Sequence, residues 1–306
     1  MSVTLIQMAK PLCFFYFFLC SIGFSQTENF TVKNSEINTE YPHFGLMLVA
    51  NSKIIFTSYL LDKKDRVERI QGHPILAIFE GEIDVDGAIQ NIKNIEIDPD
   101  QKINYITSAS MSSNGKQLYI TTTFDDRNFD EDNFQIKVGE FKSGIGWTNF
   151  EVLPFCDSKY SYAHPALSKD GKTLYFTSNI RGGKETTKGG SDIFKVDILE
   201  NGKFSEPKNL GSKVNSYSKE MFPFITGDNT LYFASNRPNG FGGFDIYKSQ
   251  MSADGTFEKA EKLPKPINSP KDDFSFIIKN DRKTGYFTSK RDDGKGDDDI
   301  YYFSLN

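Results

Sequence analysis

The 306-residue sequence is mildly acidic, with a net charge of −5, and 14% of it is Phe, Tyr or Trp. That charge excludes a nucleic-acid binder, which needs a basic surface to neutralise phosphates. The length admits one large all-β domain or two ordinary ones, and the aromatic content fits half-buried pleated strands.

The chain opens on a targeting pattern. Lys10 supplies a positive charge, Leu12 to Leu19 is almost wholly apolar, and Gly23 and Ser25 stand at −3 and −1 before Gln26. Residues 1–25 therefore read as a cleaved secretory signal, too short to span a membrane, and residues 26–306 as the mature protein. The alternative is lipidation at Cys20, but Phe17-Phe18-Leu19 stand where lipoprotein processing expects a small residue. Losing the signal removes Cys13 and Cys20 and leaves Cys156 alone. No intramolecular disulfide or cysteine metal cluster can then form, and Cys156 is expected to be a small buried apolar residue.

From Ile54 onward one strand returns five times. It is Ile54-Ile55-Phe56-Thr57-Ser58, Leu118-Tyr119-Ile120-Thr121-Thr122, Leu174-Tyr175-Phe176-Thr177-Ser178, Leu231-Tyr232-Phe233-Ala234-Ser235 and Gly285-Tyr286-Phe287-Thr288-Ser289, at spacings of 64, 56, 57 and 54 residues. An all-β unit of that period is a propeller blade. An inner strand such as Ala163 to Ser168 precedes each copy, across turns such as Ser113-Asn114-Gly115-Lys116 and Lys169-Asp170-Gly171-Lys172. Asn-Gly and Asp-Gly supply the positive φ angles that tight hairpins need. A glycine-rich loop then leads to a third strand opening with Asp192-Ile193-Phe194, Asp245-Ile246-Tyr247 or Asp299-Ile300-Tyr301; in the looser second repeat it is Phe134-Gln135-Ile136. Outer strands follow the turns at Asn201-Gly202 and Asp254-Gly255.

Val214-Asn215-Ser216 and Ile267-Asn268-Ser269 mark unit ends, and Ile103-Asn104 and Ile37-Asn38-Thr39 fit the same place. The last unit is about a dozen residues short. The segment Phe30 to Ile37 is expected to supply its outer strand, which removes an open sheet edge. The fold class is thus all-β, a single five-bladed propeller closed by an N-terminal strand.

The run Ser168 to Ser178 followed by Gly189-Gly190-Ser191-Asp192-Ile193-Phe194 resembles the WD40-like propeller repeat of the TolB type. Ala163 to Ser168, Glu220 to Ile225, Asp272 to Ile278 and Gly296 to Tyr301 resemble the propeller region of OmpA-family envelope proteins of Bacteroidota. The likeness covers roughly Phe44 to Phe303. Such relatives usually continue into a peptidoglycan-binding domain, whereas this sequence ends at Asn306, so cell-wall anchoring is not carried over. The resemblance implies an exported protein of the periplasm or outer-membrane periphery of a Gram-negative bacterium, with an envelope or secretion-system protein as partner.

Several residues are candidates for chemistry. Asp192, Asp245 and Asp299 recur at equivalent positions, and recurrence favours a structural role: each is expected to cap the glycine loop of its own blade. The same logic covers Arg181, Arg237 and Arg291. Asp297-Asp298-Asp299 and the acidic run Asp125 to Asp132 hold oxygen ligands, but neither has the spacing of a calcium loop. His43, His73 and His164 form no zinc motif, and no nucleophile elbow is present. No metal and no cofactor are expected. Glu40, Glu220, Asp272 and Asp273 each precede an inner strand of blades that become neighbours in the ring. They are read as an acidic channel mouth, mostly solvated, with no pair held for catalysis. The expected function is a non-catalytic protein-binding or scaffold module of the envelope. The alternative is a glycan-active hydrolase or glycan-binding module using that mouth.

Overall fold

The computed structural model describes residues 29–124 and 133–306. The expected signal segment, with Cys13 and Cys20, and the acidic run 125–132 lie outside the described residues. Five four-stranded antiparallel sheets make up the fold. Blade one holds Phe44–Val49, Lys53–Tyr59, Leu76–Ile83 and Ile89–Asn94. Blade two holds Ser108–Met111, Gln117–Thr123, Phe134–Lys142 and Gly146–Val152. Blade three holds Tyr162–Leu167, Thr173–Ser178, Asp192–Asp197 and Lys208–Asn209, and blade four Glu220–Ile225, Thr230–Ser235, Asp245–Gln250 and Glu261–Lys262. Blade five takes Asp273–Ile278, Thr284–Ser289 and Asp299–Leu305 from one end of the chain and Phe30–Asn34 from the other, in the register Phe30 opposite Leu305 and Asn34 opposite Tyr301. Asn306 N–H donates to the Asn29 carbonyl at 3.0 Å beside that pair.

The repeated second strand is buried on both faces because a blade lies on either side of it. Ile54, Ile55, Leu118, Leu174, Phe176, Leu231 and Phe287 are fully enclosed. The core is accordingly not one mass but five apolar clusters, one in each gap between adjacent blades. Cys156 is half-buried beside the cluster between blades two and three, and burial pushes its thiol up to about 12, which leaves it protonated.

The inner strands share a bulge. The register slips between Phe44 and Met47, Ala163 and Ala166, Met221 and Phe224, and Phe274 and Ile277, so two residues face one on the second strand. The first extra residue is Gly45, His164, Phe222 or Ser275, each with φ between 50° and 66°. Such a bulge bends the strand. In blades three and four the second extra residue is a proline, Pro165 or Pro223, placed where no ladder donor is lost. The bends free amides that reach the neighbouring blade. Leu46 N–H donates to Ser275 Oγ at 2.7 Å, His164 N–H to Thr121 Oγ1 at 2.9 Å, and Leu167 N–H to Ser110 Oγ at 3.1 Å. Blade two alone has no register slip in its inner pair.

Candidate functional site

Of the four carboxylates expected at one mouth, two are enclosed within their blades. Glu220 and Asp273 are the first residues of their inner strands and are completely buried. Glu220 accepts from Ser216 Oγ (2.6 Å), Ser216 N–H (2.9 Å) and Ser235 Oγ (2.7 Å), and pairs with Arg237 at 3.1 Å. Asp273 repeats the scheme with Ser269 N–H (2.5 Å), Ser289 Oγ (2.6 Å) and Arg291 (3.0 Å). Burial pushes the Asp273 carboxyl above the usual range, against the pull of Arg291 and Ser289. The expectation that these groups are solvated is therefore corrected for Glu220 and Asp273. A buried carboxylate needs a full set of donors, and each blade supplies them from the serine that ends its second strand. Asp272 is half-buried and accepts from Phe244 N–H at 2.8 Å, tying blade five to the glycine loop of blade four. Glu40 alone of the four is exposed.

Arg237 and Arg291 are structural cations. Arg237 also donates to the Val214 carbonyl at 2.6 Å and lies 4.5 Å above the Tyr247 ring; Arg291 donates to the Ile267 carbonyl and lies 5.2 Å from the Tyr301 ring. Arg181 does not belong with them. It stands three residues after Ser178, whereas Arg237 and Arg291 stand two after Ser235 and Ser289. The equivalent place holds Ile180, and the residue opposite Ser178 is Tyr162 instead of a carboxylate. Arg181 instead donates to the Thr187 and Gly189 carbonyls at 2.9 and 2.6 Å.

Asp192, Asp245 and Asp299 open their third strands opposite Ser178, Ser235 and Ser289. Each accepts loop amides of its own blade: Lys188 and Gly189, Phe241 and Gly242, Lys295 and Gly296. Burial pushes the Asp192 carboxyl up. The loops must carry glycine here; a Cβ on Gly240 or Gly294 would lie 2.0 or 2.2 Å from the Asp245 or Asp299 oxygen. The asparagines read as unit ends grip the next residue along. Asn215 brackets Ile193, Asn268 brackets Ile246 and Asn38 brackets Ile300, each through backbone N–H and carbonyl. Asn104 was grouped with them but does not do so; it reaches only the Lys102 carbonyl at 3.5 Å.

The concave site lies elsewhere. At the ends of the inner strands, where they turn into the second strands, all five blades surround a funnel of about 650 Å³. That volume is typical of ligand clefts. Its wall is largely aliphatic, with Leu46, Met47, Met111, Leu167, Phe224 and Ile278. Its charged groups are Lys169, Lys279, Arg282 and Asp228. Asp228 is held by Arg282 at 3.2 Å and by Thr226 Oγ1 at 2.5 Å, which keep its carboxyl below the usual range although burial opposes them. Below the funnel a cavity of about 20 Å³ sits among the bulges, bounded by Gly45, Ser108, His164, Phe222 and Ser275. His164 stacks on Phe222 at 3.7 Å, and burial pushes its imidazole down to about 3, so it is neutral. At the opposite end Asp298 lies 3.6 Å from Lys290, and burial pushes it up to about 6. Among the described residues no cluster of three or more His, Cys, Asp or Glu is placed to hold a metal ion, and no helix is long and apolar enough to cross a membrane.

Sequence reasoning missed the funnel because no motif encodes it. Each blade contributes only a common hairpin turn. The signal present was the run of lysines and an arginine just after the inner strands, at Lys169, Lys279 and Arg282.

No family model matches the chain, and no curated protein matches it. Solved structures do. A thermostable family-43 glycoside hydrolase aligns with a TM-score of 0.51 at 12% identity, over 89% of this chain and 92% of the other. A putative TolB from Agrobacterium tumefaciens aligns at 0.49 and 12%, over 86% and 78%. A prolyl endopeptidase aligns at 0.42 and 14% over 80% of this chain, which spans only 30% of that protein's length. At 12% identity the likeness to the family-43 glycoside hydrolase is one of fold alone. This chain is an all-β five-bladed propeller with TolB-like structural neighbours.

Proposed function

We propose that this protein is a non-catalytic, protein-binding module exported to the cell envelope, with the axial funnel as its binding site. One observation carries the reading: among the described residues the funnel holds a single carboxylate, Asp228, and that group is already bound by Arg282 and Thr226. Hydrolysis of a glycosidic bond needs two carboxyl groups about 5–10 Å apart across the substrate. The acidic residues nearest to that description in sequence, Glu220 and Asp273, are spent on Arg237 and Arg291 inside the blades. The envelope location and an envelope or secretion-system partner rest on the pattern of residues 1–25 and on the resemblance of the repeats to TolB-type and OmpA-family propellers.

The test pairs two measurements. Purified protein incubated with envelope and plant polysaccharides is expected to release no reducing ends; release abolished by Asp228→Asn would overturn the reading. A photo-cross-linking residue at Ser113, on the funnel rim, is expected to capture one envelope protein in cells, while the same probe at Lys208 on the outer edge captures none. Equal capture at both positions counts against the funnel.

A further inference from the structure

The charge on this molecule is arranged in rings. Among the described residues Lys169, Lys279 and Arg282 line the funnel against Asp228, and the turns around it add the exposed Lys116, Lys172 and Lys283 against Asp170 and Asp281, so cations are in excess. Each third strand runs back to the same end of the blade, so the outer turns share this face. There the residues are Asp84, Asp86, Glu200 and Asp254 against Lys142 and Lys203, so the acidic side chains are in excess. A protein of net charge −5 thus presents a cationic axis inside an acidic circumference. Among the described residues none of Lys116, Lys169, Lys172, Lys279 and Lys283 makes an ion pair, whereas Arg282 is committed to Asp228. The Lys169 stem lies over Gly227 in the turn of the adjacent blade, where a Cβ would meet Lys169 Cδ at 2.8 Å.

This pattern selects the shape of an occupant. A flat polyanion such as a lipid surface would meet the acidic circumference as well as the axis and be repelled. An anionic chain that enters along the axis meets the cationic excess without the acidic circumference. The wall then decides its chemistry. Four of the five hydroxyls that line the funnel are already used: Ser110 by Leu167 N–H, Ser112 by Gln117 N–H, Ser168 by Asp170 and Thr226 by Asp228. A sugar would find few free partners for its own hydroxyls and would strand them against Leu46, Met111 and Ile278, at a cost for each unmade bond. Aliphatic side chains would bury there with a gain.

We infer that the funnel receives an extended acidic peptide segment of the partner, its carboxylates on Lys169 and Lys279 and an apolar side chain in the aliphatic throat. This rests on the protein-binding reading above and names the chemistry of its partner. The docking is steered by opposite charge, so it weakens with salt.

The probe is a fluorescein-labelled hexapeptide library built from Asp, Glu, Leu and Phe, followed by fluorescence anisotropy at low salt with the purified protein. Binding is expected for members that combine at least two carboxylates with an apolar residue. Lys169→Glu or Lys279→Glu is expected to weaken it at least tenfold, roughly the effect of reversing one charge at a close pair, with the melting temperature unchanged. Lys208→Glu on the outer edge is expected to leave it intact. Tighter binding of an oligogalacturonate than of any peptide would overturn the assignment in favour of an anionic glycan. Binding to phosphatidylglycerol vesicles that survives both charge reversals would overturn the axial site. If Ser113 cross-links a protein partner in cells while no acidic peptide binds, the peptide chemistry is wrong and the binding reading stands. If Ser113 captures nothing and peptides still bind, the reading of the partner as an envelope protein fails instead.

Discussion

Blades four and five differ from blades one and two in how they hold their own loops. In the later pair an aspartate opens the third strand, a glycine loop wraps onto it, an asparagine brackets the next residue, and a buried carboxylate pairs with an arginine. In the earlier pair the residues facing Ser58 and Thr122 are Ala77 and Gln135. Gln135 reaches only the Thr123 carbonyl, and its own side-chain oxygen has no partner. Blade three is a half-way case, with Asp192 and Asn215 but with Tyr162 and Ile180 in place of the ion pair. The same apolar period therefore builds a blade with or without the polar clamps. What the clamps add is a set of hydrogen bonds that tie the connection between second and third strands to its own blade. Blade one uses its own device there, an inserted ribbon in which Arg69–Ile70 pairs with His73–Pro74.

This difference can be broken most sharply at the ion pair. Arg237→Ala leaves Glu220 buried without its cation and is expected to cost about 3–5 kcal/mol, read by urea denaturation. The double variant Glu220→Tyr with Arg237→Ile gives blade four the residues that blade three carries. It is expected to recover most of the loss, since an apolar pair needs no compensating charge. A double variant no more stable than Arg237→Ala would mean that blades three and four are not interchangeable at this site.

A smaller effect is expected at the aspartate clamp. Asp245→Ala leaves the Phe241 and Gly242 amides without their acceptor, and unmade bonds of that kind cost about 1–3 kcal/mol. Hydrogen exchange of the loop 236–244 should quicken more than that of the strands. Unchanged protection there would show that Asn268 and the packing hold the loop without the carboxylate.

The smallest effect concerns the axis where blades three and four meet. His164 is pushed down to about 3 by burial, while an unfolded histidine titrates near 6.5. Between those values only the unfolded chain takes the proton, so stability is full above pH 6.5 and falls as pH drops. The loss is about 1 kcal/mol between pH 6.5 and 5.5. Asp298 works in the opposite direction, because a carboxyl pushed up to about 6 keeps its proton longer in the folded state. His164→Asn, which tolerates the left-handed backbone, is expected to flatten the acid-side slope by that amount whatever its stability at pH 7. An unaltered slope would place the acid sensitivity elsewhere.

The blades were legible in the sequence because burial on both faces forces a near-continuous apolar strand, and that strand recurs. The loop-capping role of Asp192, Asp245 and Asp299 was legible for the same reason, each lying at a fixed offset from it. The depth of Glu220 and Asp273 was not, since it depends on Ser216, Ser235 and Arg237, or Ser269, Ser289 and Arg291, brought in from other turns. Arg181 has the structural role expected of it but in a different place, because one residue of offset separates a cation paired with a buried carboxylate from a loop donor. The funnel was illegible because five unremarkable turns make it only when they meet.

The pairing of Phe30–Asn34 with 301–305 joins segments about 270 residues apart. Loop closure over such a distance comes late, since its entropy is lost before the contact is gained. Until then the outer edge of Asp299–Leu305 is bare, and Phe30 and Val32 are missing from the cluster between blades four and five. A partly folded ring therefore offers one sticky flank, on the last blade and nowhere else along its circumference by the same cause. Folding of this protein is expected to be slow, and its vulnerable interval is the wait for a strand that lies about 270 residues back along the chain.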